Sequence, residues 1–336
     1  MTGKKVFTMD DIAKLAGVSK PTVSRALSNS SLVKPETKQR VLAVARSHGY
    51  AVNRNAQKLR HKRTHTIAVS LDYRSHKKNH ISDPFIFNLL AGVSEALGKR
   101  NQDLLLCAPN HNDMDAFRRI LSSRSADGFI MLGQGHRSEM LNEFARAGAP
   151  MVVWGAATED TPYCVVGSDN YYGGQLAGNY FREHGRRRLL FVGDPAFAEI
   201  YWRRVGLQQV GENKGPDVTI DDIVLSDFSF DAAFEAATKF LGKVSEPPDA
   251  VFACSDTAAM AFITALGKNG LNVPRDVSVV GYNDIRSAAF FSPAVTTIRQ
   301  DTYQAGRLLV SNLMQTLDGE AAESTKIETS LIVRET

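Results

Sequence analysis

The sequence predicts an α/β core of two subdomains, each a parallel sheet flanked by helices, preceded by an all-α helix-turn-helix headpiece. Three observations predict it. From Thr66 onward, short apolar runs alternate with amphipathic helical runs in two successive series. Residues 8–27, TMDDIAKLAGVSKPTVSRAL, form two short helical patterns joined by a glycine. Charge is divided between the ends: residues 1–63 hold 14 Lys and Arg against 3 Asp and Glu, a net +11, and the remainder holds 26 against 33, a net −7. A cationic end of this kind suits a polyanion.

The headpiece comes first. Thr8 is placed to cap the first helix, with Asp11 three residues on as a carboxylate version of the capping box, and Ile12, Leu15 and Ala16 share one face. Gly17 ends that helix, Val18 fits the angle, Ser19 caps the second helix and Pro21 sits in its first turn, where a missing N–H is harmless. Val23, Ala26 and Leu27 then face inward and turn Lys20, Thr22, Ser24 and Arg25 outward. An outer face of this chemistry suits the DNA major groove, where arginine reaches O6 and N7 of guanine. A third helix opens at Val33-Lys34-Pro35 and runs through Gly49, with Val41, Leu42 and Ala45 inward. Tyr50–Arg63 follows, rich in Arg and Lys and poor in core residues; on composition it reads as a solvated basic linker.

The core begins at Thr66. IAVSL (67–71), DLLLCA (103–108), GFIML (128–132) and MVVW (151–154) read as strands, with helices near 85–100, 114–122 and 138–147. A second series has strands CVV (164–166), LLFVG (189–193), TIDDIVL (219–225), AVFAC (250–254) and VSVVGY (277–282), with helices near 172–184, 202–211, 230–241 and 257–269. Two such series imply two lobes with a cleft between them. A length of 336 residues fits two or three domains. The three cysteines, Cys107, Cys164 and Cys254, are far apart and lack metal-ligand spacing, which points to a reduced, cytoplasmic setting without metal or cofactor. The N-terminus has no apolar run after its charges, and no run of 18 apolar residues occurs, so neither secretion nor membrane contact is expected.

Motifs of catalysis are missing: no GxSxG, GxxxxGK[ST] or HExxH is present. Gly133-Gln134-Gly135 begins like a dinucleotide fingerprint, but Ser138 stands where the third glycine belongs, so it reads as a loop. Ligand binding is better supported, because polar and aromatic residues gather at strand ends: Asp72-Tyr73, Trp154, Ser168-Asp169-Asn170, Ser255-Asp256 and Asn283-Asp284. Each also suits a helix cap or loop anchor; their shared location favours a ligand.

DIAKLAGVSKPTVSRALS (11–28) resembles the start of the lactose/galactose-repressor family, and further similarity runs to the final SLIVRET. The resemblance implies a periplasmic-binding-protein-like core crossed three times by the chain, placed near 163–166, 291–294 and 322–325. It thus implies a headpiece at 1–50, a hinge at 51–63 and a core at 64–336. The first lobe is then about 64–163 plus 294–322 and the second about 164–292 plus 324–336, with Thr302–Leu317 back in the first. Asn53-Arg54-x-Ala56-x-x-Leu59 matches the family's hinge helix, whose leucine enters the minor groove, and Leu59 is that residue.

The DNA-binding residues implied are Thr8, Ser19, Lys20, Pro21, Thr22, Ser24, Arg25, Asn53, Arg54, Ala56, Gln57 and Leu59. Arg203 in Arg203–Gly206 matches the arginine that reaches the effector, Phe228 falls where relatives carry a stacking aromatic, and Ser168 stands where some carry an aromatic. Asn283 replaces a frequent aspartate, and Arg74–His80 looks inserted before ISDPF. With Tyr73, Phe85, Trp154, Ser255, Asp256 and Gln300 these form the effector-binding set, the effector being a sugar or sugar derivative. The expected protein is a homodimeric transcriptional regulator, in the family's habit a repressor, on palindromic double-stranded DNA. The rivals are a soluble sugar-binding protein and an NAD-dependent enzyme.

Overall fold

The computed structural model describes residues 7–27, 30–50, 63–73, 83–158, 160–212 and 218–336. The chain separates into two units, Met1–Arg63 and Thr64–Thr336.

Among its described residues the first unit holds three helices, α1 (Met9–Ala16), α2 (Lys20–Leu27) and α3 (Pro35–Ser47). At α1 the Thr8 hydroxyl accepts from the Asp11 N–H at 3.3 Å, while the Thr8 N–H donates to the Asp11 carboxylate at 2.9 Å, a reciprocal cap. Gly17 ends α1 at φ 63° and ψ 40°, a left-handed conformation in which a Cβ is strained. Lys34 precedes α3 without a side-chain cap, and Pro35 supplies the first turn. Ile12, Ala13, Ala16, Val23, Ala26, Val33, Val41 and Ala45 are buried together. Leu15 departs from the expected inward face: it is 50% exposed and Ala13 is buried instead, because a short helix meeting two partners buries positions 12, 13 and 16.

In the second unit the elements are β1 (Thr66–Leu71), α4 (Pro84–Lys99), β2 (Asp103–Leu106), α5 (Met114–Ser122), β3 (Gly128–Leu132), α6 (Ser138–Arg146), β4 (Met151–Trp154), β5 (Cys164–Ser168), α7 (Asn170–Glu183), β6 (Arg188–Val192), α8 (Ala198–Glu212), β7 (Thr219–Ile223), α9 (Phe230–Leu241), β8 (Ala250–Ala253), α10 (Asp256–Lys268), β9 (Ser278–Asn283), α11 (Arg286–Phe290), β10 (Thr296–Arg299), α12 (Thr302–Asp318), β11 (Thr325–Ile327) and β12 (Ser330–Ile332). Among the described residues they form two six-stranded sheets, ordered β11-β5-β4-β3-β1-β2 and β12-β10-β9-β8-β6-β7. All pairings are parallel except β10 with β12. The inner strands β1, β3, β4, β8 and β9 are buried along their whole length, as strands covered on both faces must be.

The crossings lie later than expected. Cys164–Ser168 pairs with β4 and belongs to the first sheet, so the chain crosses at Asp169. Thr296–Arg299 pairs with β9 in the second sheet, so the next crossing is at 300–301, and α12 then packs on α4. Thr325–Ile327 pairs with β5, so the last crossing is at 328–329. The physical reason is that strand–helix alternation carries no information about which sheet a strand joins; that is decided by inter-strand pairing. The crossing segments are tied together: the Asp169 N–H donates to the Ile327 carbonyl at 2.9 Å, and the Thr329 hydroxyl to the Asp169 carbonyl at 3.3 Å.

Candidate functional site

In the first unit, α2 presents Lys20, Pro21 and Arg25 exposed and Thr22 and Ser24 half-buried, opposite the buried Val23 and Ala26. Three of the expected DNA contacts also hold the helices. The Thr8 hydroxyl donates to Asp11 at 2.7 Å, the Ser19 hydroxyl accepts from the Thr22 N–H at 3.4 Å, and Lys20 pairs with Asp10 at 2.7 Å. That last pair is exposed on both sides, so it is a weak restraint on Lys20. Asn53, Arg54, Ala56, Gln57 and Leu59 lie outside the described residues, as does Arg74–His80.

In the second unit a cleft of about 100 Å³ opens at the carboxyl ends of the strands of both sheets. This is the place of a small-molecule site in an open α/β fold. The first lobe contributes Asp72, Asp83, Phe85, Ile86, Leu132, Gly133, Gly135 and Trp154; the second contributes Phe197, Glu199, Ile200, Arg203, Phe228, Cys254, Ser255 and Asn283. Phe85 and Trp154 lie 6.0 Å apart between ring centres, and Phe197 meets Phe228 edge to face at 5.1 Å.

Arg203 projects from α8. Its Nε donates to Asn170 Oδ1 at 2.9 Å and its Nη1 to the Cys254 carbonyl at 2.7 Å, while the guanidinium lies 3.7 Å over the Tyr282 ring. Among the described residues no carboxylate lies within ion-pair distance of it. Asn170, at the start of α7, also donates to the Ser168 carbonyl at 3.0 Å, so the first crossing, α7 and Arg203 form one chain of hydrogen bonds. Asn283 has φ 110° and Asp284 φ 55°, left-handed conformations that non-glycine residues hold only when surroundings enforce them. Those surroundings are Arg299 and Arg334, which both bind the Asp284 carboxylate, and Gln300, whose Nε2 donates to Asn283 Oδ1 at 2.6 Å.

Ser255 caps α10 by accepting from the Ala258 N–H at 3.2 Å, and Asp83 caps α4 by accepting from the Phe85 N–H at 3.0 Å. Burial pushes the Asp83 carboxyl up to about 6 against the opposing pull of that hydrogen bond and Arg203. Burial also raises Glu199, helped by the Asp72 charge.

Six expected residues therefore line the cleft: Phe85, Trp154, Arg203, Phe228, Ser255 and Asn283. Four do not. Asp256 is fully buried, accepting from the Ile285 N–H at 2.7 Å and from the Thr297 hydroxyl, because the first position of α10 points its side chain back under the sheet end. Gln300 acts behind Asn283. Tyr73 packs against the core beside β1. Ser168 lies on a neighbouring cavity with Tyr171 and Trp202, since the crossing follows it immediately.

Sequence reasoning missed Asp83, Glu199 and Phe197. Asp83-Pro84 had a visible signal, a capping residue before proline at a helix start; Glu199, one turn before Arg203, had none beyond its helical spacing. Arg137 was missed too. It is buried, donates to Gly133, Ser70 and Asn112, and lies 3.9 Å from Asp72, so it fixes the loop at Gly133–Gly135 where the cleft begins.

A helix-turn-helix unit on one chain with a two-lobed α/β core and an interlobe cleft defines the class of ligand-responsive DNA-binding regulators. Comparison makes this particular. Residues 8–53 match the model of bacterial regulatory proteins of the lacI family, and residues 179–336 match a periplasmic binding protein-like domain. The chain is 31% identical over 329 residues to the transcriptional repressor PurR of Serratia proteamaculans, covering 96% of this chain and 93% of the relative. The chain belongs to the LacI family of transcriptional regulators. Its fold matches the lac repressor dimer bound to operator and the anti-inducer ONPF with a TM-score of 0.83 at 22% identity over 99% of each chain. It matches the CelR–cellobiose complex with a TM-score of 0.68 at 29% identity, over 98% of this chain and 99% of the other.

Proposed function

We propose that this regulator is a homodimeric repressor whose headpieces read a palindromic operator and whose operator affinity is set by a sugar or sugar derivative held between the lobes. The observation that carries the reading is the cleft itself: aromatic faces from both lobes surround Arg203 and Asn283, each held by buried partners, and a ligand touching both lobes binds their arrangements with different affinity. The CelR–cellobiose complex and the operator-bound lac repressor support it as relatives that bind a sugar and DNA. In this reading the protein works by binding and not by catalysis, Leu59 of the hinge wedges into the operator's minor groove, and the protein acts in the cytoplasm.

The test is fluorescence anisotropy of the full chain on genomic operator candidates drawn from its own upstream region, across a salt series and with a sugar panel. Salt-sensitive binding that one sugar weakens or strengthens by tenfold or more is the expected result. Binding to DNA that no sugar or sugar derivative alters overturns the effector class, and no sequence-selective binding overturns the regulator itself.

A further inference from the structure

Among the described residues the cleft is one positive charge short. Of its three carboxyl residues, Asp72 has the buried Arg137 3.9 Å away, in the wall behind it. Asp83 from the first lobe and Glu199 from the second share the remaining cation, Arg203, and neither has an ion-pair partner among the described residues. Arg203 is turned partly away from both, with Nε on Asn170 and Nη1 on the Cys254 carbonyl. Phe85, Trp154, Phe197 and Phe228 make the walls apolar, so a charge in the cleft is poorly solvated and needs a partner. Aromatic faces beside carboxylates attract an ammonium twice over, through the ring quadrupoles and through the charges.

The hydrogen-bonding groups are sorted as well. Gln300 occupies Asn283 Oδ1, so Asn283 offers its NH₂ to the cleft, and Arg203 keeps its Nη2 group and one Nη1 N–H; both residues donate. Among the described residues Asp83 accepts through Oδ1 alone, and the Glu199 carboxylate accepts from its own backbone N–H; both are acceptors.

From this we infer that the effector carries one protonated amine in addition to its hydroxyl groups, as an amino sugar or other amine-bearing polyol does. The inference rests on the cleft being the effector site. The amine sits against Asp83 and Glu199, and the hydroxyl oxygens accept from Arg203 and Asn283. Because Asp83 and Glu199 belong to opposite lobes, the amine draws them together and thereby favours the closed arrangement. Burial raises both the Asp83 and the Glu199 carboxyls, and the opposing pull of Arg203 does not offset it.

Isothermal titration of the full chain at pH 7.5 tests this with D-glucosamine, D-galactosamine and 1-deoxynojirimycin, against D-glucose, D-galactose and N-acetyl-D-glucosamine. At least one amine is expected to bind tenfold or more tightly than its neutral counterpart. Asp83→Asn, which retains a helix-capping side chain, and Glu199→Gln should each bring that ratio below threefold. Amines that bind no more tightly than the neutral sugars, or that do not bind, overturn the inference, and so does a preference that survives both substitutions. A neutral sugar that binds in preference and shifts operator affinity overturns the amine and leaves the cleft as the effector site. Binding that Asn283→Ala leaves unchanged overturns the cleft reading and the amine with it.

Discussion

Replacing Arg203 by alanine removes a group that does two jobs, and the structure gives a size to each. Within the fold, Asn170 Oδ1 and the Cys254 carbonyl lose their donors at 2.9 and 2.7 Å. Leaving a buried acceptor unsatisfied costs about 1–3 kcal/mol, so the two together cost roughly 2–6 kcal/mol. For a unit of this size that is a fall in melting temperature of roughly 2–4 °C per kcal/mol, or on the order of 10 °C in all. In the cleft, one charge-assisted hydrogen bond from Nη2 is lost, about 1.5–3 kcal/mol, equivalent to a ten- to hundredfold shift in the effector concentration that half-releases or half-loads the operator.

Scanning calorimetry and operator anisotropy measure the two losses separately. A cycle with Asn170→Ala identifies the route, since the double variant should lose at least about 0.5 kcal/mol less than the sum of the singles if Arg203 acts through Asn170. A variant that melts within about 2 °C of the parent refutes the structural half of the reasoning. A variant that responds to effector at the parent's concentration refutes the other half.

Three further outcomes follow from other residues. Arg25→Ala on α2 should weaken operator binding by about 1–3 kcal/mol and random DNA little, as a base contact does; equal losses on both in a competition assay make Arg25 a phosphate contact. Gly206→Ala should cost upwards of about 3 kcal/mol through overpacking, since its Cβ would sit 2.0 Å from the Tyr171 carbonyl where α8 crosses α7; an unchanged melting temperature contradicts that packing. Asp256, raised by burial to about 8 from 3.8, keeps its proton in the fold while the unfolded chain loses it. Its contribution is therefore fully present below pH 3.8 and is lost as pH rises towards 8, at roughly 1.4 kcal/mol per pH unit. Asp256→Asn, whose Oδ1 still accepts from Ile285 while its NH₂ meets the Thr297 hydroxyl, which must turn to accept, should flatten the pH dependence of denaturant unfolding by that slope; parallel curves for variant and parent refute it.

What the linear chain determined were features set by near neighbours and by period. The Thr8–Asp11 cap, the Gly17 turn, the inward Val23 and Ala26 and the outward Arg25 depend on residues within a turn of one another, and so they are legible. The same holds for the buried strands at 128–132 and 151–154, whose apolar runs leave no polar side for solvent. Strand ends could be recognised as ligand positions in general, which located Trp154, Ser255 and Asn283.

Only the tertiary structure decided which sheet Cys164–Ser168, Thr296–Arg299 and Thr325–Ile327 join, because parallel pairing brings together segments up to some 160 residues apart without any local mark. It likewise decided the division of labour among the polar residues. Asp256 turned inward as a buried anchor and Gln300 backed Asn283, while Asp83 and Glu199 line one cleft from elements more than 100 residues apart in the chain. Whether a polar side chain caps, anchors or faces a ligand depends on what is packed against it, and the partners that turn Asp256 into an anchor lie 29 and 41 residues away in the sequence.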